Sequence, residues 1–203
     1  MSLQFGQKII DKLRGKNEFL QIHGFGNIVD APKSKNLKII IWGNNNKVYV
    51  DKSVNKFIGH IEIGWRDCPT DNSSVIIESN STSNGTTILL LENDSHVKIG
   101  SECMFSSGIK LNCTDTHAIF DKDSKELLNK GKFITIGNHV WIGHNSLICK
   151  NSAVPDNCVV GACSVVTKEF NEKNSILAGI PAKVRKSNID WTETRPNLYK
   201  KEM

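Results

Sequence analysis

The 203-residue sequence carries six histidines, and one of them, His117, stands in the stretch TDTHAIF. An imidazole with an ordinary pKa of about 6.5 takes up and returns a proton near neutral pH, so it suits general acid–base work. Asp115, two residues before it, is a candidate to orient that ring, to contact a bound acceptor, or simply to cap a turn. Further on, ITIGNHVWIG holds Trp141, flanked by His139 and His144. The six cysteines are scattered without CxxC pairs, which favours reduced thiols in a cytoplasm over a disulfide framework. Cys113 is near His117 in sequence, but nothing beside it marks it as an activated nucleophile.

The elements that must position these residues follow from a period of six. Ile136, Ile142, Ile148, Val154, Val160 and Val166 recur at that interval, which is neither the 3.6 of a helix nor the 2 of a strand. Four residues past the first five sit Val140, Ser146, Ser152, Cys158 and Ser164, all small. Gly137, Gly143 and Gly161 follow their aliphatics, where the chain is expected to turn in a way that a Cβ would hinder. A solenoid satisfies this pattern. Each six-residue unit is a short strand and a corner, three units close a coil of 18, and coils stack about 4.8 Å apart. Ordinary hairpins would show period two and turn signals every 8–12 residues. Trp141, one place before Ile142, then points outward and needs a covering surface.

The N-terminal half is less regular. Trp42, Val48 and Val54 keep the spacing, as do Ile99, Phe105 and Leu111, while the strand-like residues between them fall out of phase and predict bulges or extra loops. Phe5, Ile9 and Leu13 read as a short capping helix. Residues 121–132, DKDSKELLNKGK, break the repeat and predict a polar loop projecting from the coil. After Val166 the repeat stops, and Pro181 suits the chain's exit from the solenoid. The expected organisation is one domain over 1–190, with a projecting loop at 118–132 and a tail at 191–203, helical at its start. No 18-residue apolar run is present, and the first ten residues, without a long apolar stretch or a small-residue cleavage site, predict no secretion. The formal charge of +5 gathers late, at Lys183, Arg185, Lys186, Arg195, Lys200 and Lys201. Without aromatic interleaving it suits a small anionic ligand and not nucleic acid.

In order, TDTHAIF, ITIGNHVWIG, VVGACSVVTK and AGIPAKV resemble the hexapeptide-repeat acyltransferases, specifically the sugar O-acetyltransferases. GNNNKVYV, and CTDTH followed by a polar loop, resemble the bacterial polysialic acid and capsule enzymes among them. The resemblance implies an all-β fold, a left-handed parallel β-helix with a short helical N-terminal cap, a projecting loop and a C-terminal tail. The handedness comes from the resemblance alone, since crossovers between parallel strands are normally right-handed.

The resemblance also implies chemistry: transfer of an acetyl group from acetyl-CoA to a saccharide hydroxyl, in a cytoplasmic homotrimer with active sites between subunits. His117 is then the base and Asp115 its support or an acceptor contact. Trp141, Gly143, His144, Ala162, Thr167 and Lys168 line the coenzyme groove, and Lys183 and Lys186 meet its phosphates. Lys there keeps the charge of the more usual Arg without its bidentate fork. Amino-sugar N-acetylation and acetylation of a xenobiotic are the enzymatic alternatives. A zinc lyase on the same coil is another, because His117, His139 and His144 have spacings similar to a three-histidine site. The last two, however, stand one place off the phase that such a site uses, which turns a strand's side chains to the other face.

Overall fold

The computed structural model describes residues 19–200. The capping helix expected over Phe5–Leu13 lies outside the described residues. The chain coils, and its strands fall on three faces. The early coils hold β1 (Leu20–His23), β2 (Ile28–Asp30), β3 (Leu37–Trp42), β4 (Lys47–Val50), β5 (Phe57–Ile63), β6 (Ser74–Ile77) and β7 (Thr82–Leu90). Then come β8 (His96–Ile99), β9 (Met104–Phe105), β10 (Ile109–Asn112), β11 (Phe133–Ile136), β12 (Trp141–Ile142), β13 (Leu147–Cys149), β14 (Ser152–Val154), β15 (Val159–Val160) and β16 (Val165–Val166). The end is a hairpin of β17 (Ile176–Gly179) and β18 (Ala182–Lys186).

Face I stacks the start of β7, β9, β12, β15 and β17. Face II stacks β1, β3, β5, the end of β7, β10, β13 and β16. Face III stacks β2, β4, β6, β8, β11 and β14. Among the described residues these strands all pair parallel except in the closing β17–β18 hairpin, and isolated antiparallel bridges join Trp65 to Cys68 and Phe120 to Leu127. The six-residue rule holds where it was read. Ile136 pairs with Val154, Ile142 with Val160 and Ile148 with Val166, each 18 residues on. These aliphatics are buried, as are the small residues between them. The inward serines are satisfied: the Ser146 hydroxyl donates to the Gly161 carbonyl and that of Ser152 to the Cys149 carbonyl.

Earlier coils are longer. Ile41 pairs with Ile63 and Ile63 with Leu90, so 22 and then 27 residues separate equivalent positions. β5 and β7 run around an edge from face I to face II, with a register shift between Ile58 and Gly59. The expected bulges are therefore present. Trp42, however, is not an inward residue. Ile41 takes the core position, and the Trp42 ring stacks on His23 at 3.6 Å with Arg66 over it.

The corner glycines act differently from expectation. Gly137, Gly143 and Gly161 do not hold positive φ; His139, Asn145 and Cys163, two residues later, do. Asn tolerates this left-handed region because its short amide bonds locally, and Asn151 and Asn157 repeat the device. The glycines are required by close stacking instead. A Cβ on Gly143 would lie 2.6 Å from the Ala162 nitrogen.

Pro181 marks the end of the parallel coil. It sits in the turn between β17 and β18, so the chain folds back antiparallel along face I. The tail is not helical at its start; the one helical turn among its described residues is a 3₁₀ turn at Pro196–Leu198. No helix among the described residues is long and apolar enough to cross a membrane.

Candidate active site

The loop that carries His117 leaves the end of β10 on face II and returns to β11 on face III, so it projects from the II/III edge. Its root is tightly specified. The Thr116 N–H donates to the Thr114 hydroxyl at 2.9 Å, and the His117 N–H donates to the Asp115 carbonyl at 2.8 Å. Thr116 holds φ of 70°, a left-handed conformation that a β-branched residue adopts only under constraint. Asn129, on the returning arm, ties both arms together. Its amide donates to the Asp115 carboxylate at 3.0 Å and to the His117 carbonyl at 2.9 Å, and its carbonyl accepts from the Ile119 N–H at 2.8 Å. Gly131 donates its N–H to the Glu92 carboxylate.

His117 is exposed and stands over a cavity of about 200 Å³ that Leu91, Glu92, Thr114, Thr116, Leu127 and Asn129 also line. Asp115 does not orient the imidazole. Its carboxylate bonds Lys150 at 2.6 Å and Asn129, and the Lys150 hydrogen bond, then the Asn129 bond, hold it below the usual carboxylate range. The ammonium is nearer and charged, so it wins the carboxylate from the ring. Asp115 thus fixes the loop root on which His117 is mounted. Sequence reading missed Asn129, Lys150 and Glu92, which lie 12, 33 and 25 residues from His117 and carry no periodic signal.

The loop is also less polar than its composition suggests. An isolated antiparallel bridge joins Phe120 to Leu127, and Ile119, Phe120, Leu127 and Leu128 all stand exposed at its tip. Neither Cys113 nor Cys158 is open to an acyl-carrier role. Cys113 is buried, and burial pushes its pKa up to about 12; Cys158 is buried in the core.

The remaining candidates divide between edges. Trp141 stands half-buried on face I, its indole N–H on the Ser106 hydroxyl at 3.3 Å. Gly143, His144 and Ala162 follow on the I/II edge, where the His144 Nδ1 meets the Ser107 hydroxyl at 2.9 Å. Lys183 and Lys186 are exposed on β18, beside face I. Thr167 and Lys168 follow β16 on the II/III edge, below the loop, with the Lys168 ammonium over the Phe170 ring. His117 and Trp141 are therefore not brought together within one chain, because face I is opposite the II/III edge. The three histidines of the zinc alternative are also apart. His139 turns to Asn157 and His144 to Ser107, and no group of three His, Cys, Asp or Glu able to hold a metal stands among the described residues.

The tail supplies a feature that the sequence did not signal. Trp191 folds back across the coil, stacks on His139 at 4.3 Å and donates its indole N–H to the His139 carbonyl at 2.9 Å. Its ring lies 6.0 Å from that of Trp141.

A parallel coil with six-residue units and a histidine-bearing loop defines a class, and comparison with known proteins agrees. The family described as "Bacterial transferase hexapeptide (six repeats)" matches residues 133–168. The polysialic acid O-acetyltransferase of Neisseria meningitidis is 31% identical over 81% of this chain and 84% of its own length. That of Escherichia coli O1:K1 / APEC is 34% identical over 62% of this chain, which spans only 40% of that relative. The crystal structure of the polySia-specific acetyltransferase NeuO superposes with a TM-score of 0.69 at 31% identity, covering 89% of this chain and 92% of that one. The chain belongs to the hexapeptide-repeat sugar O-acetyltransferases, and its coil is the family's left-handed parallel β-helix.

Proposed function

We propose that this protein transfers an acetyl group from acetyl-CoA to a sugar hydroxyl of a bacterial surface polysaccharide or its precursor, by direct transfer with His117 as general base. The observation that carries the reading is the His117 cavity: an exposed imidazole on a root fixed by Thr114, Asp115 and Asn129, in a chain of this family. The imidazole takes the proton of the acceptor hydroxyl as its oxygen attacks the thioester carbonyl. The tetrahedral oxyanion collapses with cleavage of the C–S bond, and the thiolate leaves with the proton that the imidazole returns. Trp141, Gly143, His144 and Ala162 hold the acyl-pantetheine arm, Thr167 and Lys168 line it from the II/III edge of the neighbouring copy, and Lys183 and Lys186 meet the anionic phosphates.

The active unit is a homotrimer. Two observations support it. His117 and Trp141 lie on opposite sides of one prism, so a site that uses both needs a second copy. The apolar loop tip, with Leu128 63% exposed, also requires a covering surface. A cytoplasmic location fits the donor and the six free thiols. The acceptors of the relatives suggest an acidic capsule polymer as one candidate.

The test is His117→Ala with acetyl-CoA and a panel of saccharides, read as thiol release. We expect kcat to fall by roughly 10²- to 10⁴-fold with acetyl-CoA affinity retained. Near-wild-type turnover would move the base elsewhere.

A further inference from the structure

The strands of face II end on the II/III edge, and in the early coils each meets an aromatic residue there. Phe25 follows β1, Trp42 ends β3 and Trp65 follows β5. Phe25 and Trp65 are exposed, and Trp42 is half-buried. The Trp42 ring is held by both neighbouring coils. His23 of the preceding coil lies on it at 3.6 Å with the planes 11° apart, and the Arg66 guanidinium of the following coil stands 5.3 Å from its centre. Arg66 is itself firmly mounted. Trp65 and Cys68 exchange N–H···O bonds of 2.9 and 3.0 Å, so Arg66 and Asp67 form the tip of a tight turn.

A guanidinium placed over an aromatic ring keeps its in-plane N–H donors free, and these match a carboxylate bidentately. Among the described residues the Arg66 guanidinium has no hydrogen-bond or ion-pair partner, and Asp67 beside it does not pair with it. Other acidic groups of this edge are engaged by the coils: Asp71 accepts from the Asn44 N–H and Glu92 from the Gly131 N–H. The ladders place the fork relative to His117. The Gly64 N–H donates to the Leu90 carbonyl and the Cys113 N–H to the Leu89 carbonyl. The turn therefore lies two coils before the His117 loop, about 10 Å along the edge at about 4.8 Å per coil. The coil between them passes directly from β7 to β8 there, and its Leu91 and Glu92 line the cavity under His117. Trp141, Gly143, His144 and Ala162 belong to coils on the other side of the loop, so donor and acceptor approach the imidazole from opposite ends of the prism.

We infer that the Arg66–Trp42 stack is an acceptor subsite that takes the carboxylate of an acidic sugar unit within an extended saccharide chain. One sugar ring is shorter than the separation from His117, so the unit held at Arg66 is not the unit that reacts. C–H faces of the chain pack on the aromatic rings of the edge. The inference rests on the acetyltransferase reading for its part in turnover, but its binding claim is independent. The test is titration of the full chain, without acetyl-CoA, with N-acetylneuraminic acid and galacturonic acid, each as monomer, as long oligomer and as the same oligomer with its carboxylates amidated. We expect an acidic oligomer to bind more tightly than its monomer and its amidated form. Arg66→Lys and Arg66→Gln should weaken the oligomer about two- to fivefold, because the first loses the fork and the second the charge. Arg66 is exposed, so the fold tolerates both changes. In turnover the same variants should raise the oligomer KM by the same factor, with kcat, the monomer KM and the acetyl-CoA KM unchanged. Acidic oligomers that do not bind, amidated oligomers that bind equally well, or binding indifferent to Arg66 overturn the inference. Arg66-dependent binding by a protein without any acetyl-CoA turnover overturns the acetyltransferase reading instead.

Discussion

Thr116 pays a conformational cost to hold His117. A β-branched residue at φ of 70° costs about 1–3 kcal/mol, and such strain persists only where the surroundings over-determine it. Here they do, through the Thr114 hydroxyl on one side and Asn129 on the other. Thr116→Gly removes the strain but frees the peptide that carries His117. The expected outcome is a thermal stability equal to wild type or higher, with kcat at least several-fold lower. A parallel loss of stability and rate would mean that Thr116 acts by packing. The place of His117 at a loop root was legible because a turn before a polar run is a local pattern, while its role as base comes from the resemblance of TDTHAIF. Asp115 was legible as a neighbour but not in its role. Which partner takes a carboxylate depends on Lys150, 35 residues away, and only the stacking of coils brings the two together.

At the scale of elements, each hexad contributes an aliphatic that touches its equivalents above and below. Ile148 is fully buried between Leu111 and Val166. Ile148→Ala should cost about 2–5 kcal/mol, because coils locked by their ladders cannot collapse onto the cavity. Gly143→Ala fails for the opposite reason, since its Cβ meets backbone that cannot step aside, and about 1–3 kcal/mol is expected. Denaturant melts of both variants check the pair; a silent Gly143→Ala would mean that the coils are more loosely stacked than 2.6 Å implies. The period over 134–167 was readable because those coils contain nothing but the repeat. The N-terminal half was not, because 22- and 27-residue coils place their extra residues at edges where no inward pattern is imposed. The GNNN stretch shows what those residues do. Asn45 supplies a left-handed corner, while buried Asn46 bonds the Thr70 carbonyl and the Ser73 N–H of the next coil.

At the scale of the molecule, the prism geometry sets the strongest test. In the proposed trimer, the II/III edge of one copy would meet face I of the next in rotation. On that proposal His117 of one subunit would complete a site with Trp141 of its neighbour, and each subunit would enter two sites. Take His117→Ala and Trp141→Ala, both expected to be weak alone, and unfold and reassemble them together at equal concentration. A site is intact only where an unmutated His117 faces an unmutated Trp141, which requires the Trp141 variant on one side and the His117 variant on the other. Random assembly gives that order at about a quarter of the interfaces. Activity should therefore rise from near zero in either parent to about a quarter of wild type in the mixture, and it should track the trimer peak in sedimentation. If both residues served a site within one chain, every site in the mixture would lack one of them. No recovery from a properly reassembled trimer would overturn a site shared between His117 of one subunit and Trp141 of the next.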